Sequence, residues 1–128
     1  MKYGPRKHGA ASCEVIACKG VPEKMRKDIR EVIKVFCEPD ARHRGDATAL
    51  LEEVCREADA KRMILMISVG PYGDAPPLSK AALVQWYSET FDFRPIQAEP
   101  LIMARMFNTL RKPVLAEKVS LIITEGIK

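Results

Sequence analysis

No apolar stretch in this 128-residue chain approaches the ~20 residues that a membrane helix requires. The opening Met1-Lys2-Tyr3-Gly4-Pro5-Arg6-Lys7 lacks the apolar block of a secretory signal. A cytoplasmic location with no membrane partner is therefore expected. Cys13, Cys18, Cys37 and Cys55 show no Cys-x-x-Cys spacing, and only His8 and His43 are available to join them in a zinc site. Reduced, mostly buried thiols are the expectation, with no metal. Charge of one sign is also scarce. Against 17 Asp and Glu stand 21 Lys and Arg, a net +4 that helps attract a polyanionic small molecule but is too small to argue for nucleic acid. Internal repeats and low-complexity tracts are absent as well.

What is present is an ordinary globular composition, 47% hydrophobic and 30% charged. The length suits a single domain over residues 1–128. Residues 1–11, with four basic side chains, two glycines and a proline, read as a flexible arm, and 107–128 as a C-terminal extension.

Residues 12–18 are short, β-favouring and closed by Gly20 and Pro22, which predicts a strand. The following stretch has two readings. Met25, Ile29, Val32, Ile33 and Phe36 fall at helical spacing, whereas residues 32–37 form a β-branched and aromatic run stopped by Pro39. Its place ahead of an anion-binding turn favours a strand over 29–37, preceded by a basic turn or short helix. A helix to Ala60 then carries Ala47, Leu50, Leu51, Val54, Cys55 and Ala58 on one face. The almost continuous apolar run 63–69 has the profile of a central strand covered on both sides.

The loop 70–77 is crowded with turn residues and is a candidate acceptor wall. Ser79 is placed to cap a helix bearing Ala82, Leu83, Trp86 and Tyr87. Residues 91–96 and 101–106 read as two closing strands. The apolar run 119–123 either adds an edge strand or packs as a helix.

The chemistry concentrates in Arg42-His43-Arg44-Gly45-Asp46-Ala47. A glycine-containing turn entering a helix leaves backbone N–H groups uncovered where the helix dipole favours an anion, and two arginines add charge. A phosphate or pyrophosphate is the simplest ligand. A solvated connection is the bland alternative.

Arg42-x-x-Gly45-x-Ala47 resembles the Arg/Gln-x-x-Gly-x-Gly/Ala signature of the GNAT N-acetyltransferases. Trp86-Tyr87 through Phe93 and Pro100 through Arg105 follow in that family's order. The resemblance implies a mixed α/β, mostly antiparallel twisted sheet with a central splayed parallel strand pair flanked by helices. It also implies an acetyl-coenzyme-A cosubstrate and an amine acceptor, either a small molecule or a peptide. The diphosphate would lie on residues 42–47 (Arg42, His43, Arg44, Gly45, Asp46, Ala47) and the pantetheine along Val35, Phe36 and Cys37.

Tyr87 matches the helix tyrosine that acts as general acid for the leaving thiolate, with a plain core aromatic as the other reading. Glu31 and Glu38 are the nearest carboxylates for a general base, against ordinary surface charges or a water in that role. About 28 residues stand where the family has a strand, two helices and two further strands, so the acceptor side is shortened. A binding or regulatory protein without catalysis on the same scaffold is the alternative this shortening raises. The C-terminal residues serve either to close the sheet or to form a homodimer contact.

Overall fold

The computed structural model describes residues 1–70 and 79–107. Its centre is a six-stranded sheet in the order β1-β2-β3-β4-β6-β5. The strands are β1 (Gly4–His8), β2 (Ala11–Ala17), β3 (Ile29–Cys37), β4 (Ile64–Ser68), β5 (Arg94–Gln97) and β6 (Ile102–Arg105). All neighbours are antiparallel except β3 and β4, which are parallel and joined through helix α1 (Asp46–Lys61). Helix α2 (Lys80–Phe91) follows β4. The mixed α/β sheet with one central parallel pair is the architecture expected.

Side-chain alternation explains the covering of both faces. Leu65 and Ile67 of β4 pack with Val32, Met103, the apolar stripe of α1 (Leu50, Leu51, Val54, Ala58) and Leu83, Tyr87 and Phe91 of α2. Ile64 and Met66 point the other way, into a second cluster with Cys18, Val21, Ile29, Ile102 and Met106. That double burial is why residues 63–69 read as continuously apolar.

Several local expectations are corrected. Residues 4–8 are strand rather than arm, because a two-residue loop at Gly9-Ala10 turns them back onto β2. Gly9 sits at φ +56, and a Cβ there would lie 2.6 Å from the Asp46 carboxylate. That carboxylate accepts from the Ala10 N–H at 3.0 Å, which fastens the hairpin turn to the start of α1. Arg6 and His8 meet Glu57 and Glu53 of α1 at 3.2 and 2.8 Å, so two of the arm's basic groups are engaged within the chain. Phe91 and Asp92 were expected in a strand. Phe91 instead ends α2, and Asp92 caps it in the left-handed conformation, its N–H meeting the carbonyls of Ser88 and Tyr87. The segment before β3 is a 3₁₀ helix over Glu23–Asp28. Most of the loop 70–77 and the run 119–123 lie outside the described residues.

Helix α1 stops at Arg62, a non-glycine residue at φ 56 whose N–H caps Ala58 and Asp59. A Cβ in this region is crowded by the neighbouring carbonyl, at a cost of ~1–2 kcal/mol that glycine avoids. Arg62→Gly is therefore expected to raise stability by about 1 kcal/mol, read as a higher urea midpoint at unchanged slope.

Among the described residues, no helix is long and apolar enough to cross a membrane. The four cysteines are buried thiols outside any disulfide. Burial pushes the Cys13 and Cys18 thiols up to about 11, only partly opposed by nearby Arg6 and Arg26 respectively.

Candidate functional site

The parallel ladder between β3 and β4 pairs Ile29 with Ile64, Arg30 with Leu65, Glu31 with Met66 and Val32 with Ile67, and there it ends. β3 runs on to Cys37. Its register against β2 shifts between Ser12 and Glu14, with Lys34 at φ 56. A left-handed residue in a strand marks a β-bulge, which bends and twists the strand. The bulge lies just beyond the last β3–β4 pair, and β4 itself ends at the next residue, Ser68, so β3 alone continues past the carboxyl end of the parallel pair. In an open α/β sheet that is where ligands enter.

The chain reaches α1 through a second 3₁₀ helix, Pro39–Arg44, and then Gly45 at φ 76. A Cβ on Gly45 would meet nothing within 4 Å, so glycine is required here by conformation and not by space. The break at Gly45 matters. Residues 42–47 are not one continuous helix, and α1 begins without a side-chain cap. The first-turn N–H groups, from Asp46 onward, have no intrahelical acceptor. The amides of Arg42 to Arg44 belong to the preceding 3₁₀ helix, whose own i→i+3 bonds draw on them. The stretch with uncovered amides thus narrows from the six-residue turn to the first turn of α1 with Gly45 and Ala47.

The side chains of that stretch divide. Asp46 is committed to structure. The Ala10 N–H hydrogen bond, more than the opposing partial burial, holds its carboxyl below the usual range, helped by Arg44 and His8. Arg44 donates to the same carboxylate at 2.9 Å and is half exposed. Arg42 donates through Nε to the Cys37 carbonyl at 2.9 Å and lies over the Phe36 ring at 5.6 Å. Its Nη2 is buried with no hydrogen-bond partner. An unsatisfied buried guanidinium nitrogen is costly. His43 is placed by its backbone in the same turn.

Val35 and Phe36 are partly buried and Cys37 buried along the outgoing half of β3. Tyr87 is buried on the helix-covered face, its ring 5.1 Å from Trp86 and 5.8 Å from Phe93. Burial, with a smaller contribution from Cys13, pushes its phenol up to about 12.

The two carboxylates are separated. Glu31 lies on the opposite face and lines a cavity of about 190 Å³ with Cys18, Met66, Ser68, Pro100 and Ile102. Burial raises its carboxyl above the usual glutamate range. Glu38 is exposed beyond the end of β3, where its N–H donates to Ala10 at 3.1 Å. Seven strand residues at ~3.3 Å each put the two roughly 20 Å apart, so they cannot serve one reacting centre.

Two features of this region escape a reading of the sequence. The bulge at Lys34 has no signature, because lysine is not a residue that announces a left-handed φ. Arg105 of β6 is buried and forks onto Asp59 of α1 at 2.9 and 3.0 Å while donating to the Phe91 carbonyl at 2.8 Å. A charge inside the apolar run 101–106 was the available clue.

No protein-family model and no curated protein matches the chain. Among solved structures, an acetyltransferase of the GNAT family from Staphylococcus aureus Mu50 superposes with a TM-score of 0.52 over 77% of this chain. The fold is that of the GNAT acetyltransferases. Identity to that enzyme is 12%, and the match spans 60% of its length. The anti-CRISPR protein AcrVA5 superposes with a TM-score of 0.53 at 18% identity, over 80% of this chain and 98% of that one. The GNAT fold is thus realised here at the compact length of AcrVA5.

Proposed function

We propose that this protein is an acetyl-coenzyme-A-dependent N-acetyltransferase acting on an amine. The observation that carries the reading is the conjunction of a β3 that runs on past the end of the β3–β4 ladder with an uncapped α1 start and the orphaned Arg42 Nη2. Acetyl-coenzyme A fits this arrangement and supplies an activated acyl group as a thioester. The first-turn N–H groups of α1 and the Arg42 guanidinium hold its diphosphate, and the outgoing edge of β3 from Val35 to Cys37 runs beside the pantetheine.

The residues then divide the proton work. Glu31 accepts a proton from the acceptor ammonium or the attacking amine, and its raised affinity for protons brings it closer to that task than a solvated glutamate. As the new C–N bond forms and the C–S bond breaks, a backbone N–H of β3 beyond the end of the ladder donates to the carbonyl oxygen. The Tyr87 phenol donates a hydrogen bond toward the departing sulfur. At about 12 it remains protonated across the physiological range, but full proton transfer to a thiolate of pKa ~8.5 is uphill.

That weakness, with one 3₁₀ helix standing on the shortened acceptor side, keeps a second reading in play: a coenzyme-binding regulator that does not turn over. Calorimetric titration with coenzyme A tests the common ground. Binding is expected, and Arg42→Gln is expected to weaken it about 10- to 100-fold, the worth of a charge-assisted hydrogen bond. No heat with the unmodified protein would remove both readings. Thiol release from acetyl-coenzyme A with an amine panel separates them.

A further inference from the structure

The cavity beside Glu31 is built for a narrow cationic chain. Glu31 and Met66 are neighbours across the parallel ladder, and Ser68 and Ile102 are neighbours across the antiparallel one a step further along. A path from Glu31 over β4 to Ile102 crosses two strand spacings, roughly 10 Å. Met66 and Ile102 make its walls apolar, while exposed Ser68 and Pro100 stand at the rim. The floor thiol, Cys18, lies 3.7 Å from the Met66 sulfur and carries no charge at neutral pH.

Glu31 is the one charged group lining the cavity among the described residues. The nearby cation, Arg26, is absent from the lining and donates instead to the carbonyls of Val21 and Lys19 at 3.3 Å. Among the described residues a carboxylate-bearing acceptor finds no counter-ion here, and a polyhydroxylated amine finds one side-chain hydroxyl, Ser68, for its many donors and acceptors. The volume, about 190 Å³, falls below the ~300–1,000 Å³ of sites for drug-sized ligands.

We infer that this cavity selects an unbranched primary alkylammonium, with its charged end on Glu31 and its chain against Met66 and Ile102. The inference deepens the transferase reading and rests on it for the acyl donor. An apolar chain leaving water contributes ~0.8 kcal/mol per methylene, so affinity rises with length until the chain passes the Pro100 rim.

The test is a methyl NMR titration of the full chain, following the isotope-labelled Met66 methyl group as hexylamine hydrochloride is added. A saturable shift is expected, and tert-butylamine and glucosamine should bind at least about tenfold more weakly. Glu31→Gln, an isosteric change at a half-buried site, should weaken hexylamine about tenfold or more through loss of the charge-assisted contact, with the remaining methyl spectrum unchanged. An unmoved Met66 methyl, equal binding of glucosamine, or undiminished binding by the Gln variant would overturn the inference. Because the titration needs no acyl donor, its failure leaves the coenzyme A calorimetry standing, and failure of the calorimetry leaves this result standing.

Discussion

Asp59→Ala is expected to lower stability by ~3–5 kcal/mol, and Arg105→Leu by clearly less, although both break the same ion pair. The asymmetry comes from burial. The Arg105 side chain is 6% exposed and the Asp59 side chain 26%, so removing the acid strands a charge inside, whereas removing the base strands one that water reaches. Burial works against the guanidinium's charge, and the Asp59 hydrogen bonds, with the charges of Asp59 and Asp92, more than offset it. Leucine also fills part of the space between β6 and α1 and leaves mainly the Phe91 carbonyl to find a new donor. Against a total stability of 5–15 kcal/mol typical of single domains, the larger loss is visible as a marked fall in urea midpoint. The double variant should lose less than the sum of the two, because once one partner has gone the other has no interaction left to lose. Equal losses for the two single variants would mean that the pair is solvated and that the helix is held by apolar packing alone.

Glu31→Gln is expected to cut kcat/KM for acetyl transfer about 10²- to 10⁴-fold, the usual contribution of a positioned general base. The pH profile gives the sharper test. The unmodified protein's rate should rise with pH through a step above the ordinary glutamate range, since burial favours the protonated carboxyl and only the ionised form accepts a proton. In the Gln variant that step should vanish while coenzyme A still binds.

Stability should move the opposite way. A carboxyl raised in the folded state binds more protons folded than unfolded, so its ionisation weakens the fold as pH climbs from the unfolded value through the folded one. Glu31→Gln should therefore be the more stable protein at neutral pH, and the difference should close in acid, where both side chains are neutral. A thermal melt at two pH values reads this directly. A variant that lost activity and stability together would point to a structural role for Glu31.

These outcomes also show which parts of the site lie in the sequence. The strand 29–37 was legible from its β-branched run and its place ahead of Pro39 and the glycine turn, since its spacing also suited a helix, and the helix that follows was legible from period-3.6 apolar spacing after Gly45. The glycine break at the start of α1 followed from the same punctuation. That the Asp46 side chain ties α1 to the β1–β2 turn was not legible, because that role needs Ala10 within 3.0 Å, a contact spanning 36 residues that spacing does not encode.

Local sequence determined where this chain turns, which faces of its helices are apolar and where a helix starts with uncapped amides, since each depends on neighbours within a turn or a pleat. Tertiary structure alone decided that β3 and β4 stop pairing after Val32 and Ile67, and that Glu31 lines a cavity while Glu38 faces solvent. It also decided that Arg105 is buried on Asp59. Those facts arise from strands brought together across dozens of residues. The free energy of a bulge, a desolvated carboxyl or a buried ion pair is set by what the far partner contributes.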